Sequence, residues 1–365
     1  MEHSDVIVVG AGITGLAAAY ELTRRGVDTL VLERSGVAAE QSAGLARIFR
    51  VLHGDARLCE LAMDALAGWR RWEAELASGR LLGSEGLVSA GPLVDGQRAA
   101  MEAAGAEVRS VDADEIARLV PHLAPHHNWA HGIVDPAAGC IRIRRAQHAL
   151  AARLKIRPAD VVAIDDAGTT ASASVRLADG TTLHAGHVVV CAGTATGPLV
   201  APLGIDLELQ WSHHVRLTYR SRSGVLAPTA ALVLESAYGL PIGSSGQWGL
   251  GLHDPGPPAS IDATSEHDYA AAVRRQHATW VGEHMPALDP TPVDEIRCVS
   301  LDAPWLDARG DGFVAARSGR VMACTGSNMM KFGPLLGERL AATVLEGDGV
   351  HPDLQLRLTS DDPVT

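Results

Sequence analysis

Residues Gly10-Ala11-Gly12-Ile13-Thr14-Gly15 form a glycine pattern suited to holding a pyrophosphate. In such a turn the first glycine bends the chain out of a strand. The second lets the backbone approach the phosphates, and the third lets the next helix pack closely on the strand. The phosphates meet the helix N-terminus, where unpaired N–H groups and the helix dipole favour negative charge. Glu33, 18 residues after Gly15, is spaced to accept hydrogen bonds from an adenosine ribose, and Arg34 follows it. This pattern suits NAD nearly as well as FAD, and a fortuitous glycine-rich turn is the bland alternative.

The elements around the motif fit that chemistry. Residues 5–9 (DVIVV) read as a buried parallel strand, 13–26 as a helix closed by Gly26, and 28–32 as a second strand, which makes one βαβ unit. Residues 55–80 read as a long helix, with Leu58, Leu61, Ala62, Ala65, Leu66 and Trp69 on its apolar side. Further helices are expected near 96–105, 112–119, 143–154, 265–283 and 333–346. Strands are expected near 159–164, 173–178, 187–191 and 320–324, with Asp179-Gly180 as a hairpin turn. Residues 207–252 read as strand-rich.

Composition narrows the class. The 365 residues exceed one small core and suit two closely joined domains. A net charge of −12 argues against nucleic acid and anionic membranes, both of which need a basic footprint. The five cysteines are scattered without a CxxC pair, so neither a disulfide framework nor a zinc site is expected. No apolar run reaches the ~18 residues of a membrane span. The first strand begins too early for a signal peptide, so a cytoplasmic protein is expected. Of 31 basic residues only Lys155 and Lys331 are lysines, and Lys331 stands in an apolar stretch where an unpaired charge is costly.

With the glycine fingerprint, the segment SAGLARIFRVLHGDARLCELAMDALAGWRRWE resembles monomeric sarcosine oxidase-type members of the D-amino-acid-oxidase superfamily. The resemblance continues through DPAAGCIRIRRAQHAL, HVVVCAGTATGPL, LESAYGLPIGSSGQWGLGLH and VMACTGSNMMKFGPLLGERLA, from about residue 4 to 346. It favours FAD over NAD and implies an α/β fold. A Rossmann-like FAD-binding domain of discontinuous segments (1–80, 136–206, 297–365) would be joined by a substrate domain on a mixed antiparallel sheet (81–135, 207–296).

The resemblance also implies roles. Lys331 and Arg50 would hold a substrate carboxylate, and Arg47 would lie near the flavin ring. Trp69 or Trp72 matches the tryptophan near the end of the long helix. Gly10, Gly12, Ile13, Thr14, Gly15, Glu33, Arg34, Ala46, Arg47, Ala192, Gly193, Cys298 and Lys331 would line the cofactor. Cys298 falls where relatives attach the flavin covalently, although a free cysteine is also a common small core residue. His253 aligns with a histidine of the active-site region, or else faces solvent at a strand end.

Three positions depart from the pattern. Gly249 stands where relatives carry a lysine above the flavin, Ile242 where they carry a pocket tyrosine, and Ala43 where they carry a histidine. The implied reaction is oxidation of a secondary, N-substituted or cyclic amino acid to an imine, by hydride transfer to flavin N5. O2 or another acceptor would take the electrons, in a monomer or weak homo-oligomer. An NAD(P)H-using FAD hydroxylase and a catalytically altered flavoprotein are the alternatives.

Overall fold

The computed structural model describes residues 3–45, 47–166, 172–222, 229–243, 245–253, 256–258, 262–307, 309–347 and 349–355. Ala46, implied at the cofactor, lies outside them. Two eight-stranded sheets dominate.

The first sheet runs in the order Gly312–Ser318, Val321–Ser327, Thr182–Val190, His3–Val9, Thr29–Glu33, Lys155–Pro158. His3–Val9 lies parallel to both Thr29–Glu33 and Thr182–Val190, and Val321–Ser327 is parallel to Thr182–Val190. This parallel order is the Rossmann-like arrangement expected from the sequence. The start of Thr182–Val190 also pairs antiparallel with Ala173–Leu177, which pairs with Val161–Asp165. The predicted strand at 187–191 is therefore the end of a longer one, the Asp179-Gly180 turn falling just before it. Helices Ile13–Arg24, Ala56–Leu76 and Gly333–Glu346 contribute to one apolar core against this sheet. Gly68 lets two of them meet closely, since a Cβ there would lie 2.5 Å from Pro334 Cβ.

The second sheet runs Asp294–Asp302, Gln210–Arg220, Gln247–Leu252, Ala237–Pro241, Ala231–Val233, Leu87–Ala90, His131–Asp135, Arg109–Asp112. All pairs are antiparallel except Ala231–Val233 with Leu87–Ala90. One face packs on helix Ala263–His284 through Val215, Leu217, Tyr219, Trp248 and Leu250. The other face looks toward the first sheet.

The domain boundary expected at 297 needs correction. It falls inside Asp294–Asp302, which hydrogen-bonds along its whole length to Gln210–Arg220. We place the division after Asp302. Among the described residues no helix is long and apolar enough to cross a membrane, and no cluster of His, Cys, Asp or Glu could hold a metal ion.

Candidate active site

One cavity of about 1370 Å³ runs between the sheets from Gly10 to Lys331, larger than the ~300–1,000 Å³ of an ordinary small-ligand pocket. Gly10, Gly12, Ile13, Thr14, Glu33, Arg34, Arg47, Arg50, Ala192, Gly193, His253, Cys298 and Lys331 all line it. Gly15 stands behind its wall.

The glycine turn fits a dinucleotide. Gly10 has φ +101°, and a Cβ there would lie 2.4 Å from the Cys191 carbonyl oxygen. A Cβ on Gly15 would lie 1.9 Å from the Gly10 carbonyl oxygen, so the helix starts closer to the strand than any side chain permits. Gly12, the N-cap of helix Ile13–Arg24, supplies no side-chain cap, and the first helical turn carries no acid. The Glu33 carboxylate is fixed beside the turn by the Ala11 N–H (2.7 Å) and the Ser35 N–H (2.7 Å). Ile13 N–H donates to Ser42 Oγ (3.0 Å), which ties the 41–47 loop to the same turn. Arg47 is held in that loop by the carbonyls of Gln41 (3.1 Å) and Ala43 (2.6 Å). Burial and the charge of Arg216 lower its pKa to about 9.

At the far end the structure brings Arg50 and Lys331 together on Asp311, a residue that the sequence did not single out. Arg50 Nη2 donates to Asp311 Oδ2 at 2.6 Å, and Lys331 Nζ to Asp311 Oδ1 at 2.8 Å. Asp311 is 1% exposed and Lys331 4%. Burial opposes ionisation of Asp311, yet the ammonium and guanidinium hold its carboxyl well below the usual carboxylate range. Burial drives Lys331 down to about 8, a fall that Asp311 limits.

Local structure explains the convergence. Buried Asp135 accepts from the Val51 and Leu52 N–H groups (2.7 and 3.0 Å) and fixes the turn after Arg50. Asn328, with φ 55°, turns the chain into the short helix Met329–Phe332, and Trp69 Nε1 donates to the Lys331 carbonyl (2.8 Å). Trp69, not Trp72, is thus the tryptophan that supports Lys331. Asp307 Oδ1 accepts from the N–H groups of Arg309 (2.8 Å) and Asp311 (2.7 Å) and closes the loop that presents Asp311.

His253 faces the open cavity. Loss of solvent on its other sides, with the Arg309 and Arg50 charges, lowers it to about 4, so it stays neutral at pH 7. His53, buried against Asp311 at 3.9 Å, is pushed well below its ordinary value by burial, Arg50 and Lys331. Gly249, Ile242 and Ala43 all line the cavity. Tyr238, two positions before Leu240 and four before Ile242 on the same sheet face, brings a tyrosine to the cavity after all. Its hydroxyl shares a hydrogen bond with His214 Nε2 (3.0 Å).

Residues 5–343 match the model of the FAD dependent oxidoreductase family DAO. The chain belongs to this family. As a DAO-family protein it is an FAD-dependent oxidoreductase, with FAD as its cofactor. It is similar to monomeric sarcosine oxidase of Bacillus sp., 29% identical over 57% of this chain and 56% of that protein, about half its length. It is also similar to monomeric sarcosine oxidase of Streptomyces avermitilis, 26% identical over 95% of each chain. In fold it resembles NikD, described as an unusual amino acid oxidase essential for nikkomycin biosynthesis, with a TM-score of 0.82, 24% identity and 98% of each chain covered. These relatives give the NAD(P)H hydroxylase alternative no support.

Proposed function

We propose that this DAO-family chain oxidises the CH–NH bond of a secondary, N-substituted or cyclic amino acid to an imine, which then hydrolyses or is released. The observation that carries the reading is the convergence of two cations, Arg50 and Lys331, on the single carboxylate of Asp311 at the end of a cavity that begins at a dinucleotide turn. The names of the relatives, sarcosine oxidase and N-methyl-L-tryptophan oxidase, support an amino acid as substrate.

When bound, FAD supplies the redox chemistry by accepting a hydride from the carbon next to nitrogen. Gly10, Gly12, Ile13, Thr14 and Gly15 would hold its pyrophosphate, Glu33 with Arg34 its adenosine end, and Arg47, Ala192 and Gly193 its ring end. Arg50 and Lys331 bind the substrate carboxylate. Asp311 neutralises one of their two charges, so a net positive charge remains for the substrate. Each cation also keeps N–H donors beyond those given to Asp311 and Leu52. This clamp fixes the amine relative to the ring. Neutral His253 lines the same cavity and adds no charge beside the amine, which reacts in its unprotonated form. O2 or another acceptor would take up the electrons.

Anaerobic mixing with N-methylglycine, proline and other secondary amino acids tests this directly. Bleaching of the flavin by one of them is the expected result. Bleaching by NADPH alone, or by none of them, would sink the proposal.

The clamp also predicts a pH dependence. Lys331 is charged below about 8 and neutral above it. The dissociation constant of acetate, read from the flavin difference spectrum, is expected to stay flat below pH 7 and to rise above pH 8. A Lys331→Met variant should bind acetate weakly at every pH. An unchanged acetate affinity from pH 6 to 9.5 in the wild type would remove Lys331 from the clamp.

Cys298 lines the cavity from Asp294–Asp302, opposite His214. We propose it as the point of covalent FAD attachment. Acid precipitation should leave the wild-type pellet yellow and move the colour to the supernatant in Cys298→Ser. A yellow wild-type supernatant rejects the linkage.

A further inference from the structure

Arg216 lies on Gln210–Arg220, whose Val215, Leu217 and Tyr219 enter the core while Arg216 and His214 face the cavity. Its Nε is sealed from solvent and has no hydrogen-bond partner among the described residues. The carboxylates nearby are engaged elsewhere. Glu295 holds Arg274 and Arg297, Glu33 holds backbone N–H groups, and Asp311 holds Arg50 and Lys331. Arg216 as a whole is half-buried, so its charge keeps some access to the cavity, while the sealed Nε–H is left without an acceptor, which carries a cost. The cavity is where a partner for it would sit.

Position decides which partner. Arg216 stands opposite Ile296 in register, two residues from the His214–Cys298 pair. Gln41 Nε2 donates to the Val299 carbonyl (3.5 Å), and the neighbouring Ser42 meets the first helical N–H at Ile13. This end of the cavity is thus continuous with the dinucleotide turn. The Asp311 end, in contrast, is where the substrate carboxylate is proposed to bind, on Arg50 and Lys331. The adjacent strand offers no cation on this face, where Gly249 and Gly251 alternate with the core residues Trp248 and Leu250.

We propose that Arg216 is a further cation, beside Arg47, that this chain presents to bound FAD, where it would stabilise the negative charge of the reduced ring. A hydride carries one proton and two electrons from the substrate carbon, so the ring gains one negative charge and needs no proton from solvent. The substrate is oxidised by the same two electrons. Charge beside the ring is one of the levers by which a protein tunes a flavin. This inference rests on FAD as cofactor and not on the choice of amine.

The test uses the holoenzyme and the variants Arg216→Met and Arg216→Lys. In Arg216→Met the two-electron reduction equilibrium of the flavin is expected to fall at least tenfold, about 30 mV. The dissociation constant for sulfite should rise by a similar factor, and Arg216→Lys should stay within threefold of wild type. Unchanged potential and sulfite affinity in Arg216→Met overturn the proposal, as does a loss confined to acetate binding. If Arg216→Met fails to retain FAD, the wild-type protein decides. Uptake of one proton with two electrons between pH 6 and 8 is expected, and uptake of two overturns it.

Discussion

Replacing Asp311 with asparagine is expected to lower the unfolding free energy by about 3 kcal/mol and to leave Lys331 largely uncharged at neutral pH. The carboxylate is the shared counter-ion of two cations at a buried point, with Arg50 at 2.6 Å and Lys331 at 2.8 Å. Removing one partner of such a group is far worse than never having built it, because the remaining charges stay desolvated. Arg50 cannot escape by losing a proton, but Lys331 can. It sits at about 8 even with Asp311 present. In Asp311→Asn, acetate affinity should therefore weaken with pH through the 6–8 range, where the wild type is nearly flat.

Denaturant titration of holoenzyme at pH 7 gives the stability difference. The native Asp311 carboxyl titrates below its unfolded counterpart. Its contribution is thus complete above about pH 4 and fades as acid approaches the native value. The gap between wild type and variant should shrink below pH 4. Equal denaturation midpoints at pH 7 and a flat acetate profile would show that Asp311 is no counter-ion to the clamp.

The second large effect is expected at Gly15. In Gly15→Ala the added methyl would meet Gly10 O at 1.9 Å and Gly10 C at 3.0 Å, both backbone atoms that no rotamer change can move. The helix must then retreat from the strand, at a cost at or above the ~1–3 kcal/mol of ordinary overpacking. The open N–H groups would leave the phosphate position. The purified variant is expected to carry less than a tenth of the wild-type flavin per protein, measured as an absorbance ratio. Gly96→Ala serves as the control, since its Cβ would meet nothing within 4 Å and it stands inside helix Val94–Ala103. Wild-type flavin content in Gly15→Ala would rule out the turn as the pyrophosphate site.

Much of this architecture was legible in sequence because it is local. The strand, glycine turn, helix and acid at 5–33 lie in one short stretch and follow one spacing rule. The helix through Trp69 shows its apolar stripe, and Lys331 stands out by the scarcity of its type. Asp311 was invisible for the opposite reason. Arg309-Gly310-Asp311-Gly312 has the composition of an exposed turn, and only tertiary closure reveals that its acid is buried between cations that lie 261 and 20 residues away. Arg216 was hidden similarly, since alternation within a strand gives a face but not what the face meets. At Ile242 the chain keeps the sheet face and moves the tyrosine four residues back, to Tyr238, which position-by-position matching cannot detect. The boundary at 297 went astray because composition does not change along Asp294–Asp302, although its pairing does.

The place of His3–Val9 inside the first sheet bears on how the protein is made. The strand has Thr29–Glu33 on one side from the start, but its other neighbour is Thr182–Val190. At ~5–20 residues per second, a ribosome delivers that neighbour roughly ten to thirty seconds later. The strand Val321–Ser327 and Lys331 emerge later still. The N-terminal unit, which reads as self-contained, is therefore a nascent fragment with an open apolar edge. The cavity, lined from Val9 to Lys331, is complete only once nearly the whole polypeptide has been made.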